Sequence, residues 1–267
     1  MSKYLQVFKI SFSQEFAYKV SFIMWRVRNV IQIFMVFFLW NSVFSQSGRT
    51  LFGYDRSKIL TYIFGMIMVK ALVLSSRSID IAGDISKGDF SNYLLKPINF
   101  FKYWFTRDVA SKSLNISFAF VESILLYLIL KPPFFIQGDL LLLLAFMVSI
   151  VLAVLIYTLI IFLTNSVPFW VPEASWGIHF IVGVVIVESL SGVLFPLDIL
   201  PAGIQNVIYL TPFPYLIFFP IQIYLGKISG LLILKGIIIS FIWLIVLWLS
   251  LNIVWKKGLK AYQSYGR

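Results

Sequence analysis

The sequence predicts an all-α integral membrane protein with six transmembrane helices. Three observations lead there. Of 267 residues, 60% are hydrophobic and only 12% are charged, whereas soluble domains run near half apolar and a quarter charged. The apolar residues gather in six runs, each near the length of about 20 residues that a helix needs to cross hydrocarbon. The net charge of +11, from 22 basic and 11 acidic residues, falls mostly between those runs. This composition excludes a soluble enzyme, a disordered chain, a coiled coil and a nucleic-acid-binding domain. The absence of cysteine excludes disulfides, thiolate metal sites and a catalytic thiol.

The elements follow in order within a single domain, residues 1–267. The N-terminal stretch carries Leu5, Phe8, Phe12 and Phe16 at helical spacing, with Gln6, Lys9 and Ser13 elsewhere. It reads as an amphipathic helix lying in the membrane interface. Charges among its apolar positions argue against a cleaved signal. The spans are then 22–44, 59–74, 114–130, 140–163, 176–195 and 231–255. In the first, Arg26 and Arg28 lie where they can snorkel to the headgroups.

Orientation follows from the basic residues. With the N-terminus inside, Met1–Arg28, Arg77–Lys112 and Trp255–Arg267 hold 15 of the 22 Lys and Arg residues. The opposite side holds only Arg49, Arg56, Lys58, Lys131 and Lys227. Positive residues favour the cytoplasmic side, so both termini are expected there. The basic excess thus needs no nucleic-acid partner.

Two connections are unusual. Ser75–Ser113 is long, and long connections tend to be functional. It sets Asp80, Asp84 and Asp89 beside basic residues, and its apolar cluster Tyr93–Leu94–Leu95 is closed by Pro97. An apolar patch with a charged rim marks a contact surface. Gly88 and the earlier Gly83 have the glycine spacing of a phosphate-binding loop. Asp89 and Phe90 stand where that loop needs Lys and Ser or Thr, so the chain is not expected to bind ATP. The second connection, Pro196–Gly230, is apolar but broken by five prolines. Proline interrupts helix interiors, so short helices dipping into the outer leaflet fit better than a seventh span over 204–224. Gly226 and Gly230 form a weak GxxxG pair that allows close helix approach.

Lys70, Glu122 and Glu188 fall inside spans. A charge there costs about 2.5–3.5 kcal/mol on insertion scales, so each is expected to pair or to face a polar cavity. An ion or proton site competes with structural pairing. The single histidine, His179, is read as structural, because metal sites need several ligands. No catalytic, cofactor-binding or metal-binding residue is assigned.

Three local patterns resemble the small six-span membrane subunit of ABC-2-type exporters. They are GDFSNYLLKPIN at Gly88–Asn99, FPLDILP with the later PFPY and PIQIYLG between Phe195 and Gly226, and WKKGLKAYQSYG at Trp255–Gly266. The resemblance implies a non-catalytic permease in the cytoplasmic membrane of a prokaryote. It implies a second permease subunit, identical or related, and a separate ATPase subunit that binds ATP and Mg²⁺ and drives export by alternating access. It places Gly88–Asn99 in or near a coupling helix, making Asp84, Gly88, Asp89, Leu94, Leu95 and Pro97 the candidate contacts with the ATPase. The N-terminal helix would touch the ATPase too. The proline-rich segment would form re-entrant helices, and spans one, two and five would line the route. The alternative is a stand-alone secondary transporter coupled to ions through Glu122 and Glu188. Its internal repeats find no support in prolines that concentrate in the second half. A membrane-embedded enzyme would need a cluster of reactive side chains that one histidine and no cysteine do not supply.

Overall fold

The computed structural model describes residues 3–17, 19–44 and 50–262. It is helical, and among the described residues β pairing is limited to one isolated bridge between Leu51 and Tyr54. Helix α1 (Lys3–Ala17) precedes α2 (Lys19–Val43) and α3 (Arg56–Val73). Two short helices follow, α4 (Asp80–Ser86) and α5 (Ser91–Leu94). The long helices α6 (Phe100–Leu130) and α7 (Leu140–Thr164) come next. Helix α8 (Ser175–His179) runs through a π-helical stretch, Phe180–Ile186, into α9 (Val187–Leu190). Then come α10 (Ala202–Tyr209), α11 (Phe218–Tyr224) and α12 (Leu231–Ala261).

Among the described residues, four stretches are long and apolar enough to cross a bilayer: Phe100–Leu130, Leu140–Phe169, Pro172–Leu190 and Leu231–Ala261. The first of these begins well before the expected start at Leu114. Asn99 caps it, its side chain accepting from the Lys102 amide at 3.0 Å. At 31 residues it is roughly 46 Å long, longer than the hydrocarbon is thick. Its polar first turns therefore extend beyond the span. At the far end Lys131 turns left-handed (φ 42°) just before two prolines that cannot continue the helix. Helices α2 and α3 have 25 and 18 residues. Length suffices in both, but α3 carries Arg56, Lys58 and Lys70. It is nonetheless the centre of the bundle, with Ile59–Phe64 all buried.

The proline-rich segment is broken as expected. Helix α10 ends at Tyr209 and α11 begins at Phe218, so no straight helix runs over 204–224. Residues Phe218–Ile223 of α11 are all buried. They pack chiefly on α7 and α3, with Phe219 against α12. Polar bonds pin the same segment. Lys227 Nζ lies 2.5 Å from Asp198 Oδ2 and 3.2 Å from the centre of the Tyr54 ring. Asp198 also accepts from the Tyr54 hydroxyl at 3.1 Å, and Gln222 donates to that hydroxyl. Burial lowers the Lys227 pKa while Asp198 pulls it back.

Gly226 and Gly230 are not a helix-packing pair. Both have positive φ, 63° and 52°, and form the turn into α12. The packing glycines lie within α12 itself. A Cβ on Gly236 would fall 2.1 Å from Phe219 Cε2, and one on Gly258 would fall 2.3 Å from Phe169 Cδ2.

Candidate functional site

A cavity of about 460 Å³, lined by charged and polar side chains among apolar ones, opens at the end of the bundle that carries the 75–99 connection. Helix α2 contributes Arg26, Asn29 and Gln32; α3 contributes Lys70; α6 contributes Asn115 and Glu122; His179 and Glu188 come from the opposite wall. Polar residues facing apolar spans are the expected lining of a wetted space inside a membrane protein.

Its charges are paired across the walls. Lys70 Nζ lies 3.0 Å from Glu188 Oε1, and Arg26 Nη1 lies 3.5 Å from Glu122 Oε1. Arg26 also donates to Asn115. Helix and charge placement explain this together: Lys70 on the mostly buried α3 and Arg26 on the cavity side of α2 are each held by a carboxylate within the protein. Arg26 therefore points into the bundle, 13% exposed, instead of snorkelling outward. His179 lies over Gly183, where a Cβ would meet its Cε1 at 2.8 Å. Its Nδ1 is buried without a hydrogen-bond partner among the described residues. Backbone in π-helical geometry, as here, is frequent at functional sites.

Below the cavity, two residues of α6 hold the chain where α3 gives way to α4. Lys112 Nζ donates to the carbonyls of Val73 and Ser75 at 2.9 and 2.5 Å. Asp108 accepts from the amides of Arg77 and Ser78 at 2.6 and 2.9 Å and from the Ser76 and Ser78 hydroxyls. Asn165 donates to the Ser78 carbonyl at 3.0 Å. Arg77 grips Glu15 of α1 with two bonds, 2.5 and 2.6 Å. Side chains thus satisfy backbone groups of the link between α3 and α4, while the first α4 amides donate to the Arg77 and Ser78 carbonyls.

Beyond this clamp the connection folds around Phe90. Its ring is fully buried among Tyr93, Phe100, Phe169, Trp255 and Tyr262, with centroids 5.2–6.4 Å away. The Tyr93 hydroxyl donates to Asp84 Oδ2 at 2.9 Å. Burial raises the Asp84 pKa above the usual aspartate value, against the lowering effect of that bond. The Tyr262 hydroxyl donates to the Gly88 carbonyl at 2.9 Å. Past this scaffold the chain bulges outward, leaving Leu94 58% and Leu95 84% exposed beside exposed Asp89 and Pro97.

A family model described as ABC-2 family transporter protein matches residues 30–266. The chain belongs to the ABC-2 transporter family. It is an integral membrane protein of the permease type. Comparison with curated proteins returns no match. In this ABC-2 permease the predicted residues fall into two groups. Lys70, Glu122 and Glu188 come together at one cavity, each with a partner. The loop residues divide: Asp84 and Gly88 are scaffold, whereas Asp89, Leu94, Leu95 and Pro97 face outward. Sequence reasoning missed Glu15, Arg77, Asp108 and Lys112. The i, i+4 spacing of Asp108 and Lys112 at the base of a helix was the available signal, since such residues share a face.

Proposed function

We propose that this chain is the transmembrane half of an ABC exporter in the cytoplasmic membrane. Two permeases pair, each crosses the membrane six times with both termini inside, and a separate subunit binds ATP and Mg²⁺. The observation that supports this reading best is the Leu94–Leu95 tip. Two leucines stand in solvent on a base fixed by the Phe90 cage and the Asp108–Lys112 clamp. Apolar side chains presented rigidly, with a charged rim, suit a protein partner. Nucleotide-driven closure of that partner displaces the tip. The clamp passes the displacement to α3 and α6, which wall the cavity. The cavity then exchanges access between the two sides. Such a change requires the driving ligand to bind one state better than the other, and ATP at the partner supplies that difference.

The test is affinity purification of the tagged chain from its native membrane. A P-loop ATPase should co-purify. Replacing Leu94 and Leu95 together by Ala should weaken that association by at least roughly 100-fold, given about 1.5–3 kcal/mol for each fully buried leucine. Recovery of the permease alone, with transport surviving ATP depletion, would overturn the proposal.

A further inference from the structure

The cavity carries information about cargo. Its lining balances four basic side chains (Arg26, Arg28, Lys70, Arg77) against four acidic ones (Glu15, Asp80, Glu122, Glu188). Lys70 and Glu188 are the most informative pair. They approach to 3.0 Å, and their side chains remain 21% and 19% exposed, so both are reachable from the cavity. Next to them the walls turn apolar at Ile33, Met66 and Ile67.

We propose that this cavity binds a zwitterionic group joined to an apolar chain. The ligand's ammonium lies against Glu188, its anionic group lies against Lys70, and its apolar part rests on Ile33, Met66 and Ile67. The reason is electrostatic. A paired Lys–Glu is a dipole, and a single charge beside it meets attraction and repulsion over nearly equal distances. A cation or an anion can gain strongly only by pulling the pair apart, which strands a half-buried charge. A zwitterion adds to the pair antiparallel, and all four charges keep opposite neighbours. The Arg26–Glu122 pair extends the same rule to the facing wall. This inference rests on the cavity facing cargo, as the permease reading requires. The ligand chemistry is that of an amino-acid-like solute or of a zwitterionic lipid headgroup.

The cysteine-free chain makes the test direct. Val184 lines the cavity without taking part in the ion pairs, so Val184→Cys serves as the reporter in the full-length protein reconstituted in vesicles of phosphatidylglycerol. Maleimide labelling is timed with four matched probes: leucine, isopentylammonium, 4-methylpentanoate and 4-methylpentanamide. Leucine near saturation should slow labelling about tenfold, and the other three should do little. A soluble probe protecting in these vesicles identifies a solute site. Protection that appears only when phosphatidylethanolamine is added identifies a headgroup site. In the same background Glu188→Gln should shift protection toward the anion and Lys70→Met toward the cation. Equal protection by the singly charged or neutral probes, or none from either leucine or phosphatidylethanolamine, would overturn the proposal. The wild-type pair carries this comparison even if a charge variant misfolds. No nucleotide is needed, so a failed ATPase pull-down would sink the permease reading without deciding this result.

Discussion

Asp108 offers its two carboxylate oxygens to four donors of one short stretch, at a position with no exposure. Removing it takes away the acceptor of the Arg77 amide and of two buried hydroxyls and leaves the Ser78 amide only Ser76 Oγ at 3.1 Å; each lost bond to a buried charged acceptor costs about 1–3 kcal/mol. Asp108→Ala should therefore lower the melting temperature in detergent by roughly 5 °C or more. Asp108→Asn should do much less harm, because Oδ1 takes three of the four bonds and a hydroxyl can turn to accept from the new amide. Equal losses in the two variants would show that those bonds are not what holds the stretch. Asp84 gives a pH-dependent counterpart. Its folded pKa is raised by burial, so the fold favours the protonated form. That contribution is complete below the ordinary value of about 4 and disappears as pH rises through the folded value. Asp84→Asn is neutral throughout and keeps an acceptor for Tyr93. Its melting temperature relative to the natural protein should accordingly climb between pH 4 and pH 8, and a constant difference would contradict this account. The sequence displayed the charges of Lys70, Glu122 and Glu188 but not their partners, because Glu188 is far from Lys70 along the chain. Only the fold brings α3 and α9 to one cavity.

Among the elements, hydropathy located the apolar centres of the helices well and their polar ends poorly. The expected span 140–163 nearly coincides with α7, Leu140–Thr164, which holds no charge. The expected 114–130 covers only part of α6, because Lys102, Arg107, Asp108 and Lys112 dilute its first turns. Capping chemistry held the missing boundary: Asn99, directly after Pro97 and Ile98, starts α6 as its side chain accepts from the third residue on. Helix α12 shows the same limit for packing. Its glycines at 236 and 258 meet Phe219 and Phe169 in close contact, and nothing local in the sequence names those partners. Gly236→Val should overpack this contact and destabilise the protein by about 1–3 kcal/mol. Combined with Phe219→Ala, whose own loss is about 3–5 kcal/mol, the two should cost less than their sum, because the vacated space admits the valine. Strictly additive losses in this cycle, read by detergent melting, would place the strain elsewhere.

At the scale of the whole molecule, composition alone was enough for the helical membrane class. Among the described residues four stretches meet the length and hydropathy of a crossing, while α2 and α3, anticipated by the apolar runs at 22–44 and 59–74, carry charges whose pairing no hydropathy window sees. Charge bias supplies the expected topology. A cysteine at Gly138, which has open space around it, should react with an impermeant maleimide added to intact cells. One at Asn92 should react only after the membrane is opened. Labelling of both from outside would reverse or break the six-span arrangement. The cage around Phe90 has a consequence for biosynthesis. Two of its walls, Trp255 and Tyr262, are translated long after Phe90 itself, and chains are made from the N-terminus onward. The Leu94–Leu95 tip therefore gains these two walls of its base only once α12 and Tyr262 have been made. On the docking role proposed above, a chain not yet extended that far would engage its partner poorly.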